Sequence, residues 1–302
     1  MDIGQLAVLR ELSARGSITD VAIATHKSPS AVSQQLKTLQ RQVGVVLIER
    51  SGRGVRLTDA GKALAESSVR IATAMAEAEA TWASYRGGQT GIVRLSAFPS
   101  AAELLLPGLL ARMRAHPDIT LRFEDRDVSQ DEFSSLTSDF DLVLAHRSDD
   151  VLAPDRPSVE SVQLFREPLD IALPLRHPLA SRERVTIGDV ISEDWISVAE
   201  GYPIDRVLQT MAVHADKRPN IVHRSIHLPL IENLVAAGHG IALVPRYTSR
   251  QRAEGRFAIV PLSNVRAGRL LEVLMRPDRA PRAAVRAVLA ELVTEAADVT
   301  AR

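Results

Sequence analysis

Four side chains at helical spacing, Ser30, Ser33, Gln34 and Lys37, carry the chemistry that reads a duplex. Hydroxyls and an amide near a helix N-terminus reach base edges and phosphates, and a lysine one turn later neutralises a phosphate. Such groups need a rod narrow enough for a major groove, which an α-helix is. The sequence from Ser28 to Val43 supplies one. Ser28 stands as N-cap and Pro29 at the first helical position, where a missing N–H costs nothing. Val32, Leu36, Leu39 and Val43 fall on the opposite face. A shorter helical pattern precedes it, from Thr19 to about His26. Ser17 is its N-cap, and Asp20 suits both the cap and the helix dipole.

Beyond the second helix, Val45 to Ile48 read as a short apolar strand. Arg50-Ser-Gly-Arg-Gly-Val-Arg56 then reads as a hairpin tip, in other words a wing beside the helix pair. An arginine of the tip, Arg50 or Arg53, suits the minor groove, where the potential is most negative. Residues 1–60 hold eight cations against five carboxylates, whereas the whole chain balances 37 against 37. Phosphate binding must therefore come from a local patch, which argues against a protein that coats nucleic acid. Ordinary amphipathic helices with a solvated basic face explain the helix pair equally well. The attached glycine-arginine wing favours a DNA reader.

Residues 17–58 resemble the winged helix-turn-helix of the LysR-type transcriptional regulators. The matching residues are Ser17, Ala22, Ser30-Ala-Val-Ser33, Leu36, Leu39, Gly44, Leu47, Arg50, Arg53, Leu57-Thr58 and Ala60-Gly61. Val21, Ile48 and Gln40 depart from the usual Ala, Phe and Glu at positions taken as packing or surface sites. By the resemblance, Thr19, Pro29, Ser30, Ser33, Gln34, Lys37, Arg50 and Arg53 form the DNA-binding set, on a domain spanning residues 1–58.

At 302 residues the chain suits two or three domains, and 45% apolar with 25% charged residues suits a soluble globular protein. Cysteine is absent, so disulfides and thiolate metal sites are excluded. No run approaches a membrane span and no signal pattern opens the chain, so a cytoplasmic protein is expected. Leu6, Leu9 and Leu12 mark a first helix that ends at Gly16. Residues 59–88 are alanine-rich and proline-free. Ser68, Met75 and Trp82, with Leu64, Ile71, Ala78 and Tyr85, form two heptad series offset as coiled-coil core positions. Packing on its own domain is one reading of this helix; pairing with a second copy is the other and is favoured. In the family it is the linker and dimer helix, and the resemblance implies a dimer of dimers.

From Gly91 strands and helices alternate, which predicts an α/β region of open, mostly parallel sheets. Strands are expected near 92–98, 119–125, 140–146, 169–175, 195–201, 220–225, 241–245, 257–262 and 270–275. His177-Pro-Leu-Ala180 and the segment 235–246 extend the resemblance to the family's two-lobed, periplasmic-binding-protein-like effector domain. That domain would cover 91–302, with lobe I at 91–162 and 268–302 and lobe II at 163–267.

Ligands of open α/β sheets bind beyond the carboxyl ends of strands. The ends so located supply the effector candidates Phe98, Pro99, Ser100, Ser129, His146, Glu200, Gly201, Tyr202 and Ser225. Ser100 leads, because its hydroxyl and the following N–H groups lie at a helix N-terminus suited to an anion. Arginines near these ends suit an anionic effector and Glu200 a cationic one; both stay open. No P-loop, Gly-x-Ser-x-Gly elbow or Gly-x-Gly-x-x-Gly turn is present. His223 and His227 would share a face only on a helix, and they straddle a strand end and a helix start. No catalytic residue, metal or cofactor is therefore expected. The expected partners are an operator duplex, a small-molecule effector and a second copy of the chain. A solute-binding protein or enzyme with an N-terminal assembly domain is the alternative, and a nucleoid-type architectural protein a third.

Overall fold

The computed structural model describes residues 1–52, 54–85, 89–149 and 158–301, the side chain of Ser84 aside. Three helices lead: α1 (Ile3–Arg15), α2 (Ile18–Ala24) and α3 (Pro29–Val43). The hairpin β1 (Ile48–Ser51) and β2 (Gly54–Leu57) follows, paired antiparallel from Ile48↔Leu57 to Ser51↔Gly54. The caps act as expected, with Ser17 Oγ accepting from the Asp20 N–H and Ser28 Oγ from the Ala31 N–H. Gly44 ends α3 at φ 71°, a left-handed turn that a side chain would strain. Val45 and Val46 lie outside β1 and are exposed, so the expected strand starts three residues late. The reason lies in Gln40, whose Oε1 accepts from the N–H groups of Leu47 and Ile48 at 2.8 and 3.0 Å. Gln40 thus anchors the wing to α3 and is no mere surface position.

The long helix α4 (Asp59–Tyr85) spans about 40 Å at ~1.5 Å per residue. Its start rests on the wing root so closely that a Cβ on Gly61 would stand 2.1 Å from the Leu47 carbonyl oxygen. Gly61→Ala must push these backbones apart and should lower stability by about 1–3 kcal/mol, the range for overpacking. A urea midpoint equal to that of the parent would refute this contact. The first turns of α4 pack on their own domain. Ala65 is buried, Leu64 lies against the same core, and Ser68 Oγ donates to the Leu6 carbonyl of α1 at 3.0 Å. Ser68 therefore leaves the heptad seam, and Leu64 with it. From Ile71 on, the predicted seam faces outward.

The remainder comprises β3 (Gly91–Ala97), α5 (Pro99–Arg112) with a 3₁₀ turn to Ala115, β4 (Ile119–Asp125), α6 (Phe133–Leu136), β5 (Leu142–Ser148) and β6 (Glu160–Pro174). Next come α7 (Ile187–Val190), β7 (Asp194–Ser197), α8 (Pro203–Ala215), β8 (Asn220–Arg224), α9 (Leu228–Ala236), β9 (Ala242–Pro245), α10 (Arg246–Ala253) and β10 (Phe257–Val260). Strand β11 (Gly268–Met275) and helix α11 (Ala283–Ala301) close the chain. The large sheet runs β10-β6-β11-β5-β3-β4, with β9 also on β6. Only the β3–β4 and β3–β5 pairings in it are parallel; those of β5–β11, β11–β6, β6–β10 and β6–β9 are antiparallel. The expectation of mostly parallel sheets is corrected, because β6 and β11 carry the chain between two halves and must run against their neighbours.

Strand β6 is the common spine. Up to Pro168 it pairs with β11, and from Leu169 it pairs with β9 and β10. The change of partner comes six residues beyond the boundary expected at 162/163. Each half has its own core. One gathers Leu95, Leu105, Leu144, Val273 and Val288, and the other Ile171, Trp195, Met211, Ile231 and Val244.

The N-terminal domain docks on the first half through charge. Arg276, 5% exposed, donates to Glu11 of α1 at 2.7 Å and to both Asp278 oxygens. Arg15 adds Glu11, Asp139 and the Ser138 carbonyl, and Arg10 lies 3.3 Å from Asp278. Burial pushes the Glu11 carboxyl up, but the guanidiniums of Arg276 and Arg15 win and hold it below its ordinary value.

Candidate nucleic-acid interface and interlobe cleft

On the reader domain, α3 turns Val32, Leu36 and Leu39 into the core and leaves Pro29, Ser30, Gln34 and Lys37 exposed. Thr19 is exposed on α2 and Arg50 on β1. Gln34, Lys37 and Arg50 have no hydrogen-bond or ion-pair partner among the described residues, so their polar ends face solvent ready for a duplex. Ser33 differs. It is half-buried, and its hydroxyl donates to the Pro29 carbonyl at 2.9 Å. Ser30 shares its hydroxyl with Ser28 at 2.9 Å. Arg53 lies outside the described residues. Arg56 is tied across the hairpin to Glu49 at 2.9 Å, and Arg10 and Arg15 face the other half of the molecule. Among the described residues, the cations left on the reader face are therefore Lys27, Lys37, Arg41 and Arg50.

A cavity of about 90 Å³ lies where the two halves of the effector region meet. Helix α5 supplies Pro99 and Ser100 behind Phe98, α8 supplies Pro203 and Ile204 behind Tyr202, and α9 supplies Leu228 and Pro229 behind His227. Of the expected residues, Phe98, Pro99, Ser100, His146 and Tyr202 line it. Ser129, Glu200, Gly201 and Ser225 do not. Ser129 donates from both its hydroxyl and its N–H to Glu132, and Ser225 Oγ accepts from the His227 N–H at the entry to α9. Glu200 turns out to solvent beside Arg224, and the Gly201 carbonyl accepts from Arg206.

The residue the sequence reading missed is Arg269. It sits on β11 at 4% exposure and forms a two-pronged pair with the fully buried Glu167 at 2.9 and 2.7 Å. Its Nη2 also donates to Ser100 Oγ at 3.2 Å and Thr248 Oγ1 at 3.3 Å, and its guanidinium lies 5.2 Å over the Phe98 ring. One side chain thus joins α5, α10 and both spine strands. No local pattern announces it, since its carboxylate partner is 102 positions away.

His146 packs edge-on to Phe98 and Phe133 at 4.4 and 5.0 Å. Burial, aided by the charge of Arg269, holds its pKa well below the ordinary value, so the ring is neutral at pH 7, and Nδ1 has no partner. An unfolded chain protonates this histidine near pH 6.5 and the folded one does not, so the site stabilises the fold above that pH. The contribution is lost as pH falls from about 6.5 toward the lower folded value. His146→Gln should flatten that part of the profile of stability against pH, measured by urea unfolding. An unchanged slope between pH 7 and 5 would contradict the buried neutral ring.

Comparison with known proteins places both regions. Residues 3–62 match the model of the bacterial regulatory helix-turn-helix protein, lysR family, and residues 86–297 match that of the LysR substrate binding domain. The probable RuBisCO transcriptional regulator of Synechocystis sp. is 26% identical over 301 residues, covering 97% of this chain and 87% of its own length. The regulator AlsR of Bacillus subtilis is 30% identical over 71% of this chain and 70% of its own. A full-length OxyR variant of Pseudomonas aeruginosa shares the fold, with TM-score 0.68, 19% identity and coverage of 98% and 94%. Full-length CbnR in complex with its target DNA gives TM-score 0.56 and 21% identity, covering 98% and 100%. Carrying both family domains in order, with the reader helix and the interlobe cleft that they imply, this chain belongs to the LysR family of transcriptional regulators.

Proposed function

We propose that two copies of the chain, joined along the outward part of α4, set their α3 helices into successive major grooves of a pseudopalindromic operator. Thr19, Pro29, Ser30, Ser33, Gln34, Lys37, Arg50 and Arg53 contact the duplex, and two such dimers assemble on adjoining sites. An effector in the interlobe cleft favours one closure of the lobes. It shifts the population only as far as it prefers that closure. The buried guanidinium of Arg276, which bridges Glu11 of α1 and Asp278, makes the reader follow lobe I, so closure alters the spacing of paired readers. The sensing group is no thiol, because the chain has no cysteine. The protein works in the cytoplasm, where its operator is; no described helix is long and apolar enough to cross a membrane.

The observation that carries this reading is the exposed polar face of α3 beside the wing, where Gln34 and Lys37 have no partner among the described residues. Gln34→Ala tests it. A bidentate base contact discriminates by about 1–3 kcal/mol, so affinity for the operator should fall roughly tenfold while affinity for random duplex stays. Equal losses on both duplexes would remove Gln34 from base reading.

A further inference from the structure

The charges around the cleft do not cancel locally. Its arginines are matched. Arg269 is held by Glu167, and Arg224 by Asp205 at 2.7 Å. Arg147 pairs with Glu272, Arg246 with Asp170, and Arg252 with both Glu232 and Glu103. No free guanidinium among them waits for an anionic ligand.

Two features of the lining are left over. The first is Asp127, which lines the cavity and has no hydrogen-bond or ion-pair partner among the described residues. Tyr202, which reaches in from α8, lies close enough that the Asp127 charge, after burial, helps to raise its phenol pKa. Asp127 is exposed at the mouth of the cavity, and partial desolvation pushes its carboxyl pKa up, with Arg269 partly offsetting the shift. The second feature is backbone. Helices α5, α8 and α9 all begin at the cavity, at Phe98, Tyr202 and His227, and none has a side-chain cap. Their first-turn N–H groups and dipoles favour an anion. Between these features sits the neutral His146, buried, with Nδ1 unpartnered. Phe98, Ile204, Ile226 and Leu228 give the cavity apolar walls.

We infer that the effector is a small zwitterion of amino-acid type, its carboxylate at the uncapped helix starts and its ammonium against Asp127. This rests on the cleft being the effector site and names the chemical class it takes. The neutral imidazole of His146 completes the set as an uncharged hydrogen-bonding group, where an imidazolium would repel the ammonium. The volume of about 90 Å³ fits a short aliphatic side chain and excludes a large polycyclic ligand without lobe opening.

The test uses the full-length protein and three probes on one carbon frame: 2-aminobutyrate, butyrate and butylamine. Hydrogen exchange reports where each probe protects the chain, and calorimetry reports its affinity. The wild type should bind 2-aminobutyrate at least about tenfold more tightly than butyrate, the scale of one hydrogen bond to a charged group. Protection should fall on the segments holding Ser100, Asp127, His146 and Tyr202. In Asp127→Asn that preference should collapse while butyrate binding stays or improves. Butyrate binding as well as 2-aminobutyrate in the wild type, or the preference surviving in Asp127→Asn, overturns the zwitterion but leaves the cleft as the site. Protection outside the cleft overturns the cleft reading as well. If no probe binds, the assigned class is wrong.

Discussion

Met75→Glu combined with Trp82→Glu should convert the protein to monomers and lower operator affinity by about 10²–10⁴-fold, the gain that linking two readers brings. Along α4, Ile71 is 40% exposed, Met75 41%, Trp82 65% and Tyr85 81%. With Ala78 they recur every three or four residues on one stripe, the spacing of a coiled-coil seam. Apolar side chains this large and this aligned on a polar surface mark an interaction site. Two carboxylates on the stripe would have to be desolvated beside their copies in the partner, which separates the helices. Light scattering gives the mass directly. An unchanged mass would remove this stripe from the dimer interface.

Glu167→Ala should destabilise the effector domain by about 3–5 kcal/mol, because it leaves the Arg269 guanidinium buried without its counter-charge. Glu167 is fully buried and also accepts from the Thr248 N–H and hydroxyl at 2.8 and 2.9 Å, so the loss reaches α10 as well. Replacing both members with apolar residues, Glu167→Leu with Arg269→Met, should recover most of the stability. On that expectation the pair adds little net strength over an apolar one. It fixes Ser100 and Phe98 at the cleft relative to the strands that join the two halves. A cost below about 1 kcal/mol for Glu167→Ala, read from denaturant midpoints, would mean that the pair is solvated and not structural.

How far the sequence discloses this molecule depends on the range of the interaction concerned. Ser17, Ser28, Pro29 and Gly44 act within one turn of their own helices, and those helices lie within a few residues of where such signals put them. Strand β6 shows the opposite case. Its first half, Glu160 to Pro168, shows no clear local pattern because polar and charged residues interrupt it, and it is a strand through its pairing with β11, about a hundred positions later. Helix α8 depends on a similar distant contact: Pro203 is its first residue, and Asp205 is buried against Arg224, 19 positions later. Ser68 fitted a heptad by spacing alone, yet the Leu6 carbonyl of its own domain claimed it. In the cleft, the strand-end rule led to Phe98, Ser100, His146 and Tyr202. The same rule marks the strand end 125–129, which holds Asp127, but strand order alone could not reveal Arg269, because its role depends on a carboxylate partner 102 positions away.

The measurement closest to the central claim is fluorescence anisotropy of the purified protein on the duplex directly upstream of its own gene, beside a scrambled duplex of equal length, over a series of salt concentrations. A preference of about 10³-fold or more for the native duplex, persisting at physiological salt, is expected. Equal weak binding to both duplexes, vanishing as salt rises, would contradict it and reduce the N-terminal domain to a basic patch.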